Sequence, residues 1–290
     1  MQKILVELAG GLGDELCFIP AYKALKKKYH DNIELHVKSR FREILVGNPY
    51  VDATIRYDAN VSRGDYWKNY VVHWNFVPHG KGRHSHLKTV CMDQVEVDER
   101  HWDGEIFYEI LEEDLVKPNS VEFPDNTIKI CYDTYASARQ SRVSQKKYMR
   151  AMILFQEKHP NSIIYQIGKN SPYMGVGHNL VNLFTVRELA AFISKCDLYV
   201  GNNSGAFHLA SVVGTKICAF FTATDPRFYI HDKDKTHVFF PDIDCKGCLN
   251  NMPNFNPVTK KIPCPIEHLL CHQKIDPIIM VAEMEKALGL

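Results

Sequence analysis

The residues of this chain that could do chemistry are a carboxylate beside a glycine turn, a Ser-Gly helix start, a run of cations and four crowded cysteines. Gly10-Gly11-Leu12-Gly13-Asp14 follows an apolar segment and opens a helical pattern. Glycines there let the chain turn tightly and let a ligand approach the backbone. Gly11 and Gly13 are the turn residues, but the full dinucleotide fingerprint is missing, because Leu16 stands where its third glycine would be. Asp14 has two readings. It is a general base if held against a substrate hydroxyl, or an N-terminal acid that only complements the helix dipole.

The second turn is Gly201-Asn202-Asn203-Ser204-Gly205, with His208 in the helix that follows. Ser204 and Gly205 suit a helix start whose open amides face a diphosphate. His208 is either a ligand contact or a satisfied core histidine. Another strand then runs to Thr224-Asp225-Pro226. Arg139, Arg142, Lys146, Lys147 and Arg150 lie in one stretch without acids. Arg suits bidentate phosphate contact and Lys acts more as a point charge. Arg139, Arg142 and Lys146 lie nearest the preceding strand and are the phosphate candidates; Lys147 and Arg150 read as a solvated helix face.

Cys245-Lys-Gly-Cys248 is a C-x2-C pair, with Cys264 and Cys271 beyond it. Four thiolates make a closed tetrahedral site for zinc or iron, which is structural because no position stays open. His268 and His272 are alternative distal ligands. The other cysteines (Cys17, Cys91, Cys131, Cys196 and Cys218) sit in apolar surroundings and read as small core residues.

Alternating strand and helix patterns must position these groups. In the first block Ile4–Leu8 reads as a strand and Asp14–Lys28 as a helix, then Ile33–Val37 as a strand and Ser39–Val46 as a helix. Ala53–Tyr57 and Tyr70–Trp74 read as strands, Val77–Lys88 as a basic loop and His86–Val95 as a helix. In the second block Ile128–Tyr132 is a strand, Gln145–His159 a helix and Ser162–Ile167 a strand that ends at Gly168. Thr185–Lys195 is a helix with a Thr185/Glu188 capping box. Asp197–Val200 is a strand, Gly205–Val213 a helix, Lys216–Phe221 a strand and Pro277–Leu288 a closing helix. Strands alternating with helices imply parallel sheets, which bind ligands at their C-terminal edges. The 290 residues accommodate two domains of about 100–200 residues, divided as 1–125 and 126–290.

A formal net charge of +1 gives no global electrostatic reason to bind nucleic acid or an anionic membrane. The N-terminal apolar run is too short for a signal peptide, and no stretch is long enough for a membrane helix. The expected location is cytoplasmic.

Three blocks together resemble glycosyltransferase family 9, the heptosyltransferases. They are Leu12-Gly13-Asp14 with Pro20-Ala21, Leu25 and Gly47-Asn48-Pro49-Tyr50-Val51-Asp52; Leu189-Ala190 through Gly201–Gly205 to His208-Leu209-Ala210; and Thr224-Asp225-Pro226 with the cysteine segment. The resemblance implies a GT-B fold, two Rossmann-like domains facing a cleft, with acceptor mainly on the first domain and donor on the second. It implies an inverting transfer from a nucleotide-diphosphate sugar, ADP-heptose by family expectation, to a saccharide hydroxyl, without a catalytic metal. By position Asp14 matches the family's base. The donor side comprises Arg139, Arg142, Lys146, Gly168, Asn202, Asn203, Ser204, Gly205, His208 and Asp225. Some relatives carry similar cysteines, and one branch has an iron-binding finger. The family usually has Asp where Asn203 stands. Competing readings are the same donor chemistry on a protein or modified DNA base, a nucleic-acid module around the cysteines, and a nucleotide-sugar epimerase.

Overall fold

The computed structural model describes residues 1–72, 86–101, 105–136, 141–169, 171–251, 264 and 268–290. The chain divides into two compact units, Met1–Glu109 and Ile110–Leu290.

The first unit is built on a parallel sheet of β1 (Gln2–Leu8), β2 (Ile33–Ser39), β3 (Ala53–Arg56) and β4 (Lys68–Val72), in the order β3-β2-β1-β4. Ile4, Leu5, Val6 and Leu8 of β1 are all buried, as a central parallel strand requires. Helix α1 (Leu12–Lys28) starts at Gly11 and buries a continuous run from Glu15 to Tyr22. His30 and Asp31 take positive φ just beyond its last turn, so the chain leaves the helix and enters β2. Lys26 donates to the Ile33 carbonyl at 2.8 Å and to the Asp52 carboxylate at 2.6 Å, which fastens the end of α1 to the sheet. Helix α2 (Leu87–Gln94) packs against α1.

The helix expected over 39–46 is only a short 3-10 turn, Arg42–Leu45. Ser39 is still paired in β2, opposite Arg56, and Gly47 turns at φ +80, so too few residues remain for an α-helix. The strand expected at 70–74 begins earlier, at Lys68, and is described as far as Val72. Trp74 and most of the basic stretch 77–88 lie outside the described residues.

The second unit opens with α3 (Glu112–Asn119), then β5 (Ile128–Asp133), α4 (Gln145–Lys158), β6 (Ser162–Gln166), β7 (His178–Asn179), α5 (Val186–Ile193), β8 (Leu198–Gly201), α6 (Gly205–Val212), β9 (Ile217–Phe220) and β10 (Thr236–Phe239). Two single-turn helices, α7 (Cys248–Asn251) and α8 (Leu270–Gln273), precede the closing α9 (Pro277–Leu288). The strands form one parallel sheet in the order β10-β9-β8-β5-β6-β7. Its core holds Ile130, Tyr148, Met152, Phe155, Phe220 and Met280. Burying each such side chain contributes about 1.5–3 kcal/mol.

Local signals set the helix ends. Thr185 and Glu188 make the reciprocal capping contacts of α5. Asp276 caps α9, Pro277 takes its first position and Gly289 closes it at φ +80. Helix α3 went unread in the sequence. Asp114 accepts the Leu111 amide at 2.8 Å and pairs in a fork with Arg187 of α5, at 2.9 and 2.6 Å. Both side chains are buried, so this tertiary contact supports a short acidic helix with little apolar periodicity. Strands β7 and β10 were also missed: one is two residues long, and the other is a half-buried edge. Among the described residues no helix is long and apolar enough to cross a membrane.

Candidate nucleotide-sugar site

In an open parallel sheet the ligand crevice lies at the C-terminal edge where strand order reverses. In the second unit the chain lays β6 and β7 on one side of β5, then places β8 on the other. That switch point falls between the ends of β5 and β8, where Asp133 is in register with Gly201. Of the expected donor residues, Asn202 is bonded to the chain after β5 there, and Ser204 and Gly205 follow it at the start of α6.

Ser204 caps α6, its hydroxyl accepting the Phe207 amide at 3.4 Å, and its Oγ lies 3.3 Å from the Tyr199 hydroxyl. The helix start at Gly205 keeps further first-turn amides for an anion. Asn202 is fully buried. Its Nδ2 donates to the Thr134 carbonyl at 3.1 Å, while its Oδ1 accepts the Val143 amide at 3.1 Å and the Tyr148 hydroxyl at 3.0 Å. Asn202 thus ties the loop after β8 to the chain after β5 and positions that loop. Asn203 donates to the Thr224 hydroxyl at 3.2 Å, joining the loops after β8 and β9.

Asp225 accepts the Arg227 amide at 3.0 Å and pairs with its guanidinium at 2.6 Å. Burial raises its pKa, but the Arg227 contacts outweigh that and hold it below the ordinary value. His208 is buried, and its Nδ1 stands 2.8 Å from Nε2 of His231. One of those two nitrogens carries the hydrogen and the other accepts it. His231 carries no sequence signal, since it lies in an irregular segment after β9.

Of the cations, Arg142 stacks over the Tyr135 ring at 4.4 Å and donates through Nε to the Ala136 carbonyl, which holds it beside the end of β5. Lys146 is exposed on α4. Arg139 lies outside the described residues. Lys147 is not a solvated surface charge: its amine donates to the carbonyls of His272 at 2.6 Å, Gln273 at 3.3 Å and Ile275 at 2.7 Å, fastening the end of α8 and the chain after it to α4. Gly168 follows β6 at φ +114, against the Asp133 carboxyl.

In the first unit, the edge beyond β1 carries Gly11 and Asp14. The Gly11 amide donates to Asp14 Oδ2 at 2.8 Å, the reciprocal contact of a capping box. Asp14 is half-buried. Burial pushes its carboxyl up to about 6, against the downward pull of the Gly11 amide. Two groups nearby escaped the sequence reading. Glu15 is buried, and burial pushes it up to about 7 although it accepts the Ser39 hydroxyl and the Phe41 and Arg40 amides. Lys88 of α2 is buried, and its amine is held below its ordinary value chiefly by that burial.

The expected four-cysteine metal site is corrected. Among the described residues, Cys245, Cys248, Cys264 and Cys271 do not bring three or more ligand atoms within reach of one ion. Cys248 opens α7 and Cys271 lies in α8. Cys245 instead stands 3.8 Å from Nε2 of His268. Burial pushes the Cys248 and Cys271 thiols up to about 11. None of the nine cysteines, all among the described residues, is in a disulfide.

The α6 start and the loops after β8 and β9 lie within a stretch that is similar to a known family. Residues 135–258 match glycosyltransferase family 9 (heptosyltransferase). Lipooligosaccharide heptosyltransferase 2 of Campylobacter jejuni serotype O:6 is 26% identical over 113 residues, covering 37% of this chain and 31% of that protein. The family 9 likeness therefore spans less than a third of that relative's length. In structure the chain is similar to the E. coli ADP-heptose LPS heptosyltransferase II, with a TM-score of 0.72 at 14% identity over 99% of each chain. It is also similar to the iron-containing dodecameric glycosyltransferase TibC of enterotoxigenic E. coli, with a TM-score of 0.76 at 14% identity, covering 99% of this chain and 76% of that one. At such identities these two comparisons show a shared heptosyltransferase-type fold, two parallel α/β sheets.

Proposed function

We propose that this protein is an inverting glycosyltransferase that moves the sugar of a nucleotide-diphosphate donor, with ADP-heptose the first candidate, onto a hydroxyl of a saccharide acceptor. The reading is carried by the Ser204-capped start of α6 at the β5/β8 switch point, inside the stretch that matches family 9. An E. coli enzyme of the same fold is an ADP-heptose heptosyltransferase.

In this mechanism the start of α6 holds the donor diphosphate and Asp14 is the base. The acceptor oxygen attacks the anomeric carbon as the bond from that carbon to the diphosphate oxygen breaks. The hydroxyl proton passes to Asp14. The sugar passes through an oxocarbenium-like state, and the nucleoside diphosphate leaves with the bond's electrons. The amides at Gly205 and Ala206, with the Arg142 guanidinium and Lys146, stabilise the leaving charge. His208 completes the donor pocket beside the α6 start. The steps use no metal.

The test is a thermal-shift screen of nucleotide sugars, followed by measurement of nucleoside diphosphate release with and without saccharide acceptors. ADP-heptose should raise the unfolding temperature, and release should require an acceptor. If no nucleotide sugar shifts the transition, the reading is wrong; release without acceptor would point to hydrolysis or epimerisation.

A further inference from the structure

The edge of the six-stranded sheet contains a carboxyl that the proposed transfer leaves without a role. Asp133 ends β5 and is 4% exposed. Its Oδ1 accepts the Tyr135 amide at 2.9 Å, and its carboxyl also engages the Ser171 hydroxyl and the Thr134 amide. Gly168 lies on its other side. A Cβ on Gly168 would stand 2.5 Å from Asp133 Oδ1 and 2.8 Å from the carboxyl carbon. A side chain there would displace the carboxyl, and φ +114 already favours glycine. One acid therefore joins the loop after β5 to the loop after β6.

The connection continues through the next residue. Thr134 Oγ1 is 3.4 Å from the Ser171 hydroxyl and accepts from Gln145 at 3.2 Å, and the Thr134 carbonyl accepts from Asn202. The loops that follow β6, β5 and β8 are thus linked through Asp133 and Thr134 along one sheet edge.

Resting on the nucleotide-sugar reading above, we propose that Asp133 is a positioning residue of the donor site that holds the loops after β5 and β6 as a fixed rim for the diphosphate. Burial pushes this acid up to about 7, against the Tyr135 amide, the Ser171 hydroxyl and the Thr134 amide. The titratable groups it acts on are the Tyr148 phenol of α4 and the Tyr199 phenol of β8, both held above their ordinary range chiefly by burial and so neutral. As a neutral acid Asp133 keeps its hydrogen bonds without setting a fixed negative charge beside the ligand. Once ionised it repels an anionic ligand.

The test combines a readout that needs no ligand with one that does. Hydrogen exchange of amides 134–136, 168, 169 and 171 is compared at one fixed pH for wild type, Asp133→Asn and Asp133→Ala. Affinity for ADP-ribose, whose phosphates do not titrate near neutrality, is measured by calorimetry at about pH 6 and about pH 8. Asp133→Ala should speed exchange in both loops and weaken binding at both pH values. Wild-type affinity should fall several-fold to about tenfold from the lower to the higher pH, and Asp133→Asn should remove most of that fall while exchange stays near wild type. The proposal is overturned if the Asn variant keeps the wild-type pH response, or if the Ala variant leaves exchange at 168, 169 and 171 unchanged. If the exchange pattern appears but wild type binds no ADP-ribose at either pH, the donor role of Asp133 is overturned and it is a structural clamp, while the nucleotide-sugar reading is decided separately by the thermal-shift screen.

Discussion

Replacing Asp14 by Asn should raise stability while removing activity, and both effects follow from one displaced carboxyl. Burial moves that group from 3.8 to about 6. Because its folded value lies above its unfolded one, the group lowers stability progressively as pH rises from about 4 to about 6, and the loss is complete above that. A displacement of this size corresponds to about 3 kcal/mol at neutral pH. Urea unfolding at about pH 7 should therefore show Asp14→Asn more stable than wild type, with the difference vanishing below about pH 4. As a general base the same group must be ionised. Only about a tenth is ionised at about pH 5, and about nine-tenths at about pH 7. The kcat/KM for nucleoside diphosphate release should thus rise roughly tenfold over that interval, with a slope near one below about pH 6. Removing the base should cost about 10²–10⁴ in turnover, with ADP affinity unchanged. Glu15→Gln is the control, because Glu15 titrates near 7 close by; it should leave the lower limb of the profile in place. Turnover of Asp14→Asn within a fewfold of wild type would falsify the base assignment, and a profile flat through pH 6 would do the same.

Other substitutions probe the scaffold. Arg187→Met strands the buried Asp114 carboxylate and should cost about 3–5 kcal/mol in urea unfolding; a loss below about 1 kcal/mol would mean that water reaches the pair. Gly177→Ala combines a positive φ with a Cβ that would run into the Ile164 carbonyl, so a loss of at least about 1–3 kcal/mol is expected, read as a lower melting temperature. Asn202→Ala leaves the Tyr148 hydroxyl, the Val143 amide and the Thr134 carbonyl without their shared partner. It should cost about 1–3 kcal/mol and weaken ADP binding, and unchanged affinity would remove Asn202 from the site.

The elements that could be read from the chain are those whose causes lie within a few residues. The α5 capping box, the Ser204 cap, the Asp276-Pro277 start and the Gly289 stop each join groups one helical turn apart or less. The donor-side turn was legible for the same reason: a strand, a Ser-Gly start and a helix are consecutive in sequence. Asp133 escaped notice because an acid at the end of an apolar strand looks like an ordinary strand terminus. Its meaning comes from Gly168 and Ser171, brought near by the pairing of β5 with β6. The cysteine segment misled for the converse reason. Sequence spacing sets how far thiols can reach, whereas the backbone of α7 and α8 decides where they point.

The sequence by itself determined the alternation of strands and helices, most helix ends, and the position of a glycine turn before Asp14 and a capped turn at Ser204. Capping, glycine conformation and apolar periodicity act locally and need no partner far along the chain. Only the tertiary structure decided that β8 lies beside β5, that Asn202 spans two loops, that Lys147 fastens the end of α8 and the chain after it, and that burial raises the Asp14, Glu15 and Asp133 carboxyls above their ordinary range. Strand order and desolvation depend on groups distant in sequence, and no local pattern encodes which of them will surround a given carboxyl.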